Sequence, residues 1–290
     1  MAVRTVGILS TGDMGAAIGA VLRHGGLDAA TSLAGRSALT AQRAAEADIR
    51  DAGSIDALIE QSDLVLSVLV PSEAADVAEA IAGALARTGA RPPVVECNAI
   101  APQTVVRIAA RLRDAGCTVI DAGIIGSPPR PGRAGTRIYC SGPDTAPFEE
   151  LAAHGLDVRR IGPAIGQASG LKMVYAASTK GTVAVWTELL VAAEALGLSD
   201  ALLAEFGDAQ MPRALMDNVP TMPRRARRWV GEMEEIARTF ADLGLTPRIF
   251  EGAADMYRLV GDTPLGDQTS REPDPDLRAM LDVLARKLRE

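Results

Sequence analysis

Along the first half of the chain, short apolar runs alternate with amphipathic stretches. The apolar runs predict strands at Arg4–Leu9, Ala30–Ala34, Leu64–Val70, Val94–Asn98, Thr118–Ala122, Thr136–Ser141 and Asp157–Ile161. The stretches between them predict helices at Met14–His24, Leu39–Ala47, Ser54–Gln61, Ala74–Arg87, Pro102–Ala115 and Ala146–His154. Strand–helix alternation at this spacing builds βαβ units and a mostly parallel sheet.

The character changes after Gly162-Pro163. From Ile165 to Leu196 the chain carries no proline, and beyond Gly166 at its start the only glycines are Gly170 and Gly181. That predicts a helix long enough to pass from one domain into the next. Further helices are predicted near Asp200–Phe206, Pro223–Leu243, Pro247–Leu259 and Asp274–Arg289, with Gly266–Pro275 as a loose, turn-rich connection. The expected organisation is an α/β domain over residues 1–163, joined by a long interdomain helix to an all-α domain over residues 164–290.

The first strand runs into Ser10-Thr11-Gly12-Asp13-Met14-Gly15 and then a helix. A glycine-rich turn in that setting is how a Rossmann-like domain holds a dinucleotide pyrophosphate on a helix N-terminus. Gly12 admits close backbone approach and Gly15 close helix–strand packing. Ser10 stands where the first glycine is usual, and it can take the turn if its φ stays negative. An NAD site carries Asp or Glu at the end of the second strand. Here the chain reads Ser32-Leu-Ala-Gly-Arg36-Ser37, with no acid before Glu46. Arg36 and Ser37 fit a 2′-phosphate, with Arg43 as added charge, so NADP is the expected cofactor; Arg36 as a solvated loop residue is the bland alternative. Val70, Pro71 and Asn98 fall at strand carboxyl ends and are expected to wall the nicotinamide ribose.

Composition narrows the picture. The net charge of −7 argues against wholesale nucleic-acid or membrane-surface binding. Three cysteines and two histidines leave no metal spacing and fit a reducing cytoplasm. Of 30 basic residues only Lys172, Lys180 and Lys287 are lysines. A lysine in so arginine-rich a chain is a marked choice.

These residues resemble the β-hydroxyacid dehydrogenase superfamily, which includes 3-hydroxyisobutyrate and 6-phosphogluconate dehydrogenases. The resemblance rests on the glycine loop with Met14-Gly15, Arg36-Ser37, Asn98…Pro102, Asp121-Ala-Gly-Ile-Ile-Gly126 and Gly166-Gln-Ala-Ser-Gly-Leu-Lys172-Met-Val-Tyr175. Gly126-Ser-Pro-Pro-Arg-Pro-Gly132, Tyr139-Cys-Ser-Gly142 and Glu232-Met-Glu-Glu-Ile236 resemble a branch with a C-terminal domain of unknown function. Imine reductases are similar in the Pro-Pro segment. The resemblance implies that Lys172 is the acid–base residue. The family's Ser-Gly-Gly carboxylate clamp is replaced by Ile125-Gly126-Ser127, and Tyr175 stands near the position of a family asparagine. Ile124, Ile125, Gly126, Ser127 and Tyr175 are therefore the expected substrate residues, in a less polar pocket.

Reducing a carbonyl needs a proton donor beside the oxygen. His24 and His154 both end helices before glycine, away from strand carboxyl ends. Lys172 lies near the start of the long helix, where a cleft between domains is expected. Lys180 could border it, and Tyr175, Tyr139 or Asp121 are fallback donors. Arg224-Arg-Ala-Arg-Arg228 either pairs with Glu232, Glu234 or Glu235 or reads an anionic substrate. The expected protein is an NADP-dependent oxidoreductase acting on a hydroxyacid-like hydroxy or keto compound, cytoplasmic and homodimeric. The rivals are imine reduction and a cofactor-binding sensor or scaffold without turnover.

Overall fold

A computed structural model describes residues 2–207, 209–269 and 272–289. It divides into two compact units, Met1–Met173 and Val174–Glu290.

The first unit is built on one eight-stranded sheet. Its strands are β1 Thr5–Leu9, β2 Asp28–Thr31, β3 Arg50–Asp51, β4 Leu64–Ser67, β5 Val94–Glu96, β6 Val119–Ile125, β7 Arg137–Ser141 and β8 Asp157–Gly162, in the order β3-β2-β1-β4-β5-β6-β7-β8. All neighbours are parallel except β6 and β7. The connecting helices are α1 Asp13–His24, α2 Ala38–Glu46, α3 Ile55–Gln61, α4 Ala74–Thr88, α5 Pro102–Asp114 and α6 Ala146–Glu149. This is the expected Rossmann-like α/β arrangement.

The central strands read as unbroken apolar runs because helices cover both faces. On one face Ile8, Leu66 and Ile120 pack with Ile18 and Leu22 of α1 and Phe148 of α6. On the other, Leu9, Val65 and Val94 pack with Leu58, Ile81, Leu85, Ile108 and Leu112 of α3, α4 and α5. Two expectations for this unit change. Pattern reading passes over β3, two exposed residues that pair with β2 and carry no apolar side chain. It also places the second strand too late: β2 ends at Thr31, so Ser32–Ala34 already belong to the turn.

The predicted long helix starts at Gln167 and is not uniform. α7, Gln167–Ala176, is followed by a π-helical turn at Ala177–Gly181 and then α8, Thr182–Ala195. The boundary between the two units falls within α7.

The second unit contains only helices among its described residues: α8, α9 Ser199–Phe206, α10 Gln210–Asn218, α11 Ala226–Asp242, α12 Arg248–Gly261 and α13 Leu277–Lys287, with short 3-10 turns between some of them. α11 and α12 pack through Trp229 against Tyr257 and Phe240 against Phe250, with ring centroids 5.3 and 4.6 Å apart. Trp229 is buried here, and Trp186 packs on Phe206. α10 was not legible because Pro212 sits inside it, a position tolerated only in the first turn. Within the expected loose connection, Pro264–Asp267 forms a 3-10 turn, while residues 270 and 271 lie outside the described residues.

Candidate functional site

Strand register defines the site. Leu9 of β1 lies beside Ser67 of β4, Ser67 beside Glu96 of β5, Glu96 beside Asp121 of β6, and Asp121 beside Ser141 of β7. In β1, β4, β5 and β6, which run in parallel, everything beyond this row emerges at one edge. The glycine loop, Val68–Pro71, Asn98 and Ala122–Ile125 therefore share the carboxyl edge, where open α/β sheets bind ligands.

In the glycine loop, Ser10 has φ +74°. This overturns the expectation of a negative φ: the turn is the left-handed one a glycine would take, and Ser10 accepts the strain. A Cβ on Gly15 would collide with the Ser10 carbonyl oxygen, so α1 packs on the turn only because residue 15 is glycine. A Cβ on Gly12 would meet nothing within 4 Å, so the backbone there faces open space at the start of α1. Thr11 is buried and its hydroxyl donates to the Thr40 carbonyl at 2.9 Å, tying the loop to α2. Asp13 opens α1 and pairs with Arg43 of α2 at 2.5 Å, so Arg43 is already engaged. Met14 packs against the core beneath.

Arg36 is exposed, and no ion pair involves it among the described residues. Ser37 caps α2, accepting from the Thr40 N–H at 3.2 Å. Asp51, which pattern reading missed along with β3, accepts from the Leu33 and Gly53 N–H groups beside this turn.

At the next two strand ends, Val70 is exposed and Pro71 opens a short 3-10 turn. Asn98 is buried and ties the two loops together. Its Oδ1 accepts from the Leu69 N–H at 2.6 Å, and its Nδ2 donates to Ser67 Oγ at 3.0 Å.

Asp121 is fully buried. Its carboxylate accepts from the Ser141 and Ser169 hydroxyls and from the N–H groups of Gly166, Ala168 and Ser169. These are the orphan donors at the start of α7, and a buried carboxylate is an effective acceptor for them. Asp121, expected as a possible donor, is therefore engaged in anchoring the start of α7. Two residues on, Gly123 leaves room for the helix. An added Cβ would lie 2.6 Å from the Ala168 carbonyl oxygen and 3.0 Å from Lys172 Cβ. Lys172 is thereby set, half-buried, against β6 at the carboxyl edge.

Side chains alternate along a strand, so Asp121, Gly123 and Ile125 share the face toward α7. Ile124 points the other way into the core with Ile120, Ala122 and Ile138, and so is not a wall of this site as expected. Gly126 has φ +130° and Ser127 is exposed. Tyr175 follows Lys172 by about one helical turn and is 43% exposed.

Other candidates fall elsewhere. His24 ends α1, and His154 Nδ1 lies 2.8 Å from the Gly25 carbonyl oxygen, at the opposite end of α1 from the glycine loop. The three cysteines are buried, with their thiols pushed up by burial, Cys117 and Cys140 to about 11. No group that could hold a metal occurs among the described residues, and no helix among them is long and apolar enough to cross a membrane. In the helical unit Lys180 is paired with Glu232 and lies 5.2 Å from the Trp229 ring centroid; burial lowers its pKa. Within the arginine cluster, Arg224 pairs with Asp274 and Arg227 with Asp267, neither of them an expected partner, and Arg228 pairs with Glu232. Glu234 and Glu235 pair instead with Arg258 and Arg238.

Residues 5–153 match the model of the NAD binding domain of 6-phosphogluconate dehydrogenase, and residues 193–260 match a domain of unknown function, DUF1932. An uncharacterised 28.5 kDa protein of Methanothermus fervidus is 26% identical over 233 residues, 79% of this chain and 88% of that one. A solved structure of conserved protein MTH1747, of unknown function and described as structurally similar to 3-hydroxyacid dehydrogenases, is 30% identical. It matches with a TM-score of 0.64 over 89% of this chain and 99% of the other. The fold is also that of the 3-hydroxyisobutyrate dehydrogenase of Mycobacterium tuberculosis, at 19% identity and TM-score 0.69 over 98% and 99% of the two chains.

Proposed function

The chain belongs to the family of the NAD binding domain of 6-phosphogluconate dehydrogenase, and from that premise we propose that it is an NADP(H)-dependent oxidoreductase acting on a small hydroxy or keto compound. The observation that carries the reading is the common edge: the register of β1, β4, β5 and β6 brings the glycine loop and Lys172 to the same side of the sheet.

The residues present fit the cofactor. Gly12 and the first turn of α1 offer open backbone and N–H donors to a pyrophosphate. Arg36 offers a guanidinium to a 2′-phosphate, with Ser37 beside it, and β2 ends without an acid. Ser10, Thr11, Asp13, Met14 and Gly15 shape the turn, and Val70, Pro71 and Asn98 border it. Bound there, the nicotinamide supplies or accepts a hydride. Lys172 donates a proton to the substrate oxygen in reduction and takes it back in oxidation. Ile125, Gly126, Ser127 and Tyr175 flank the substrate and favour compounds bulkier and less polar than 3-hydroxyisobutyrate. Residues 1–163 form the cofactor domain, and residues 164–290 serve substrate binding and a homodimer that sedimentation at micromolar concentration would reveal.

NADPH oxidation across a panel of ketoacids, aldehydes and cyclic imines tests the proposal. Turnover of a carbonyl supports it. Turnover of imines alone would replace it with imine reduction, and tight NADPH binding with no turnover would favour a sensor or scaffold.

A further inference from the structure

Two carboxyl groups lie side by side in the buried row that crosses the sheet. Glu96 pairs in register with Asp121 on one flank and Ser67 on the other, and none of the three is more than 1% exposed. The two acids are provided for very differently. Asp121 receives hydroxyl and backbone donors from β7 and α7. Glu96 receives the Asn98 N–H at 2.9 Å and contacts the Ser67 hydroxyl.

With the Asp121 carboxyl one strand away, a negative charge buried on Glu96 is disfavoured. Burial foremost, with a contribution from Asp121, pushes the Glu96 carboxyl up to about 8. Cys97, next in the chain, is held well above the thiol range by burial and by these two acids. On α7 the charged group on the strip against this face is Lys172. From α4 and α5 the face meets apolar residues, Ala74, Ala78, Val105 and Ile108 among them.

We infer that Glu96 is a positioning residue: carrying its proton, it sets Asn98, and Asn98 sets the loops after β4 and β5 at the cofactor edge. The Asn98 side chain joins Leu69 to Ser67, so both loops depend on one amide. The backbone N–H of that residue is held by Glu96, and the Ser67 hydroxyl lies between Glu96 and the amide. Glu96 is thus the buried end of the tie. An ionised Glu96 finds relief by turning away from Asp121 or by drawing water into the row, and either movement breaks the tie. The inference rests on the proposed dinucleotide site and adds to it a protonation requirement on a residue that touches neither cofactor nor substrate.

The test is NADPH affinity, followed by fluorescence from about pH 6.5 to about pH 9.5, in the unmodified protein and in Glu96→Gln, Glu96→Ala and Lys172→Met. A single proton bound with affinity near pH 8 makes the unmodified protein lose about tenfold or more in affinity across that range. Glu96→Gln, a neutral isostere, should bind as the unmodified protein does near pH 7 and show no alkaline loss. Glu96→Ala should bind weakly throughout, and Lys172→Met should keep the alkaline loss. An alkaline limb that survives in Glu96→Gln or disappears in Lys172→Met would overturn the inference, as would Glu96→Gln binding as poorly as Glu96→Ala near pH 7. Affinity independent of pH in the unmodified protein would overturn this inference alone. Absence of dinucleotide binding at every pH would overturn the cofactor reading and this inference with it.

Discussion

Gly123 and Lys172 face each other where α7 crosses β6, so closely that a Cβ on the glycine would lie 3.0 Å from the Cβ of the lysine. The strand carries no side chain at that point, and the helix rests on its backbone. Two residues earlier, Asp121 holds the first N–H groups of the same helix. One short stretch of β6 thus determines both the distance and the direction from which Lys172 reaches the carboxyl edge.

Gly123→Ala should disturb that placement. The added methyl would also lie 2.6 Å from the Ala168 carbonyl oxygen, which is backbone and cannot swing aside. Overpacking of this kind costs about 1–3 kcal/mol. Chemical denaturation should show that loss, and turnover should fall more than NADPH affinity. An unchanged denaturation midpoint would mean that α7 is not seated on β6 in this way.

Ser10→Gly should raise stability. A non-glycine residue in the left-handed region costs roughly 1–2 kcal/mol, and glycine returns part of that gain through the entropy of the unfolded chain. A net increase of roughly 0.5–1 kcal/mol is expected because Ser10 holds φ +74°. A loss of stability in a denaturant titration would argue that the serine hydroxyl makes a compensating contact.

Arg36 should decide between the two dinucleotides. One charge-assisted contact to a 2′-phosphate is enough for at least about tenfold preference, roughly 1.4 kcal/mol. Calorimetry should show NADPH bound that much more tightly than NADH, and Arg36→Ala should erase most of the difference while sparing NADH. Equal affinities in the unmodified protein would contradict the assignment.

Much of this organisation is legible in the residues alone. The alternation of apolar runs marks the strands on either side of the glycine loop, and Gly15 and Lys172 stand out by spacing and by rarity. What escapes is set by contacts distant in sequence. Nothing local tells that Ser10 takes a positive φ, because the packing of α1 imposes it. Asp121 reads as a possible donor until α7 is seen to place its N–H groups on it. Glu96 and Asp121 did carry a signal, an acid within a strand otherwise apolar on both faces. Ile124 reads like its neighbour Ile125 in the motif until the pleat turns it into the core. β3 has no apolar pattern to detect.

Stability should fall as pH rises through the neutral range, and Glu96 should be responsible. In the unfolded chain this carboxyl loses its proton near its ordinary value of 4.5, whereas in the folded protein it keeps it up to about 8. Between those values the unfolded state binds fewer protons, so the folded state loses stability as pH rises, and the loss levels off above the folded value. For a group this buried the effect is on the order of a few kcal/mol. Denaturant titrations near pH 5.5 and pH 8 should differ accordingly (both pH values approximate) and Glu96→Gln should flatten the difference.

The acid–base role of Lys172 is the central claim, and steady-state turnover of Lys172→Ala on a substrate found in the panel tests it most directly, with NADPH affinity measured alongside. General acid–base groups contribute about 10²–10⁴-fold. The expected result is a kcat lower by about two orders of magnitude or more, with NADPH affinity nearly unchanged, because Lys172 lies on α7 while the cofactor residues lie on the glycine loop and the turns after β2, β4 and β5. Lys180→Ala should cost much less kcat. If Lys172→Ala retained more than about a tenth of the activity, the proton would be coming from another group, and the proposed role of this lysine would be wrong.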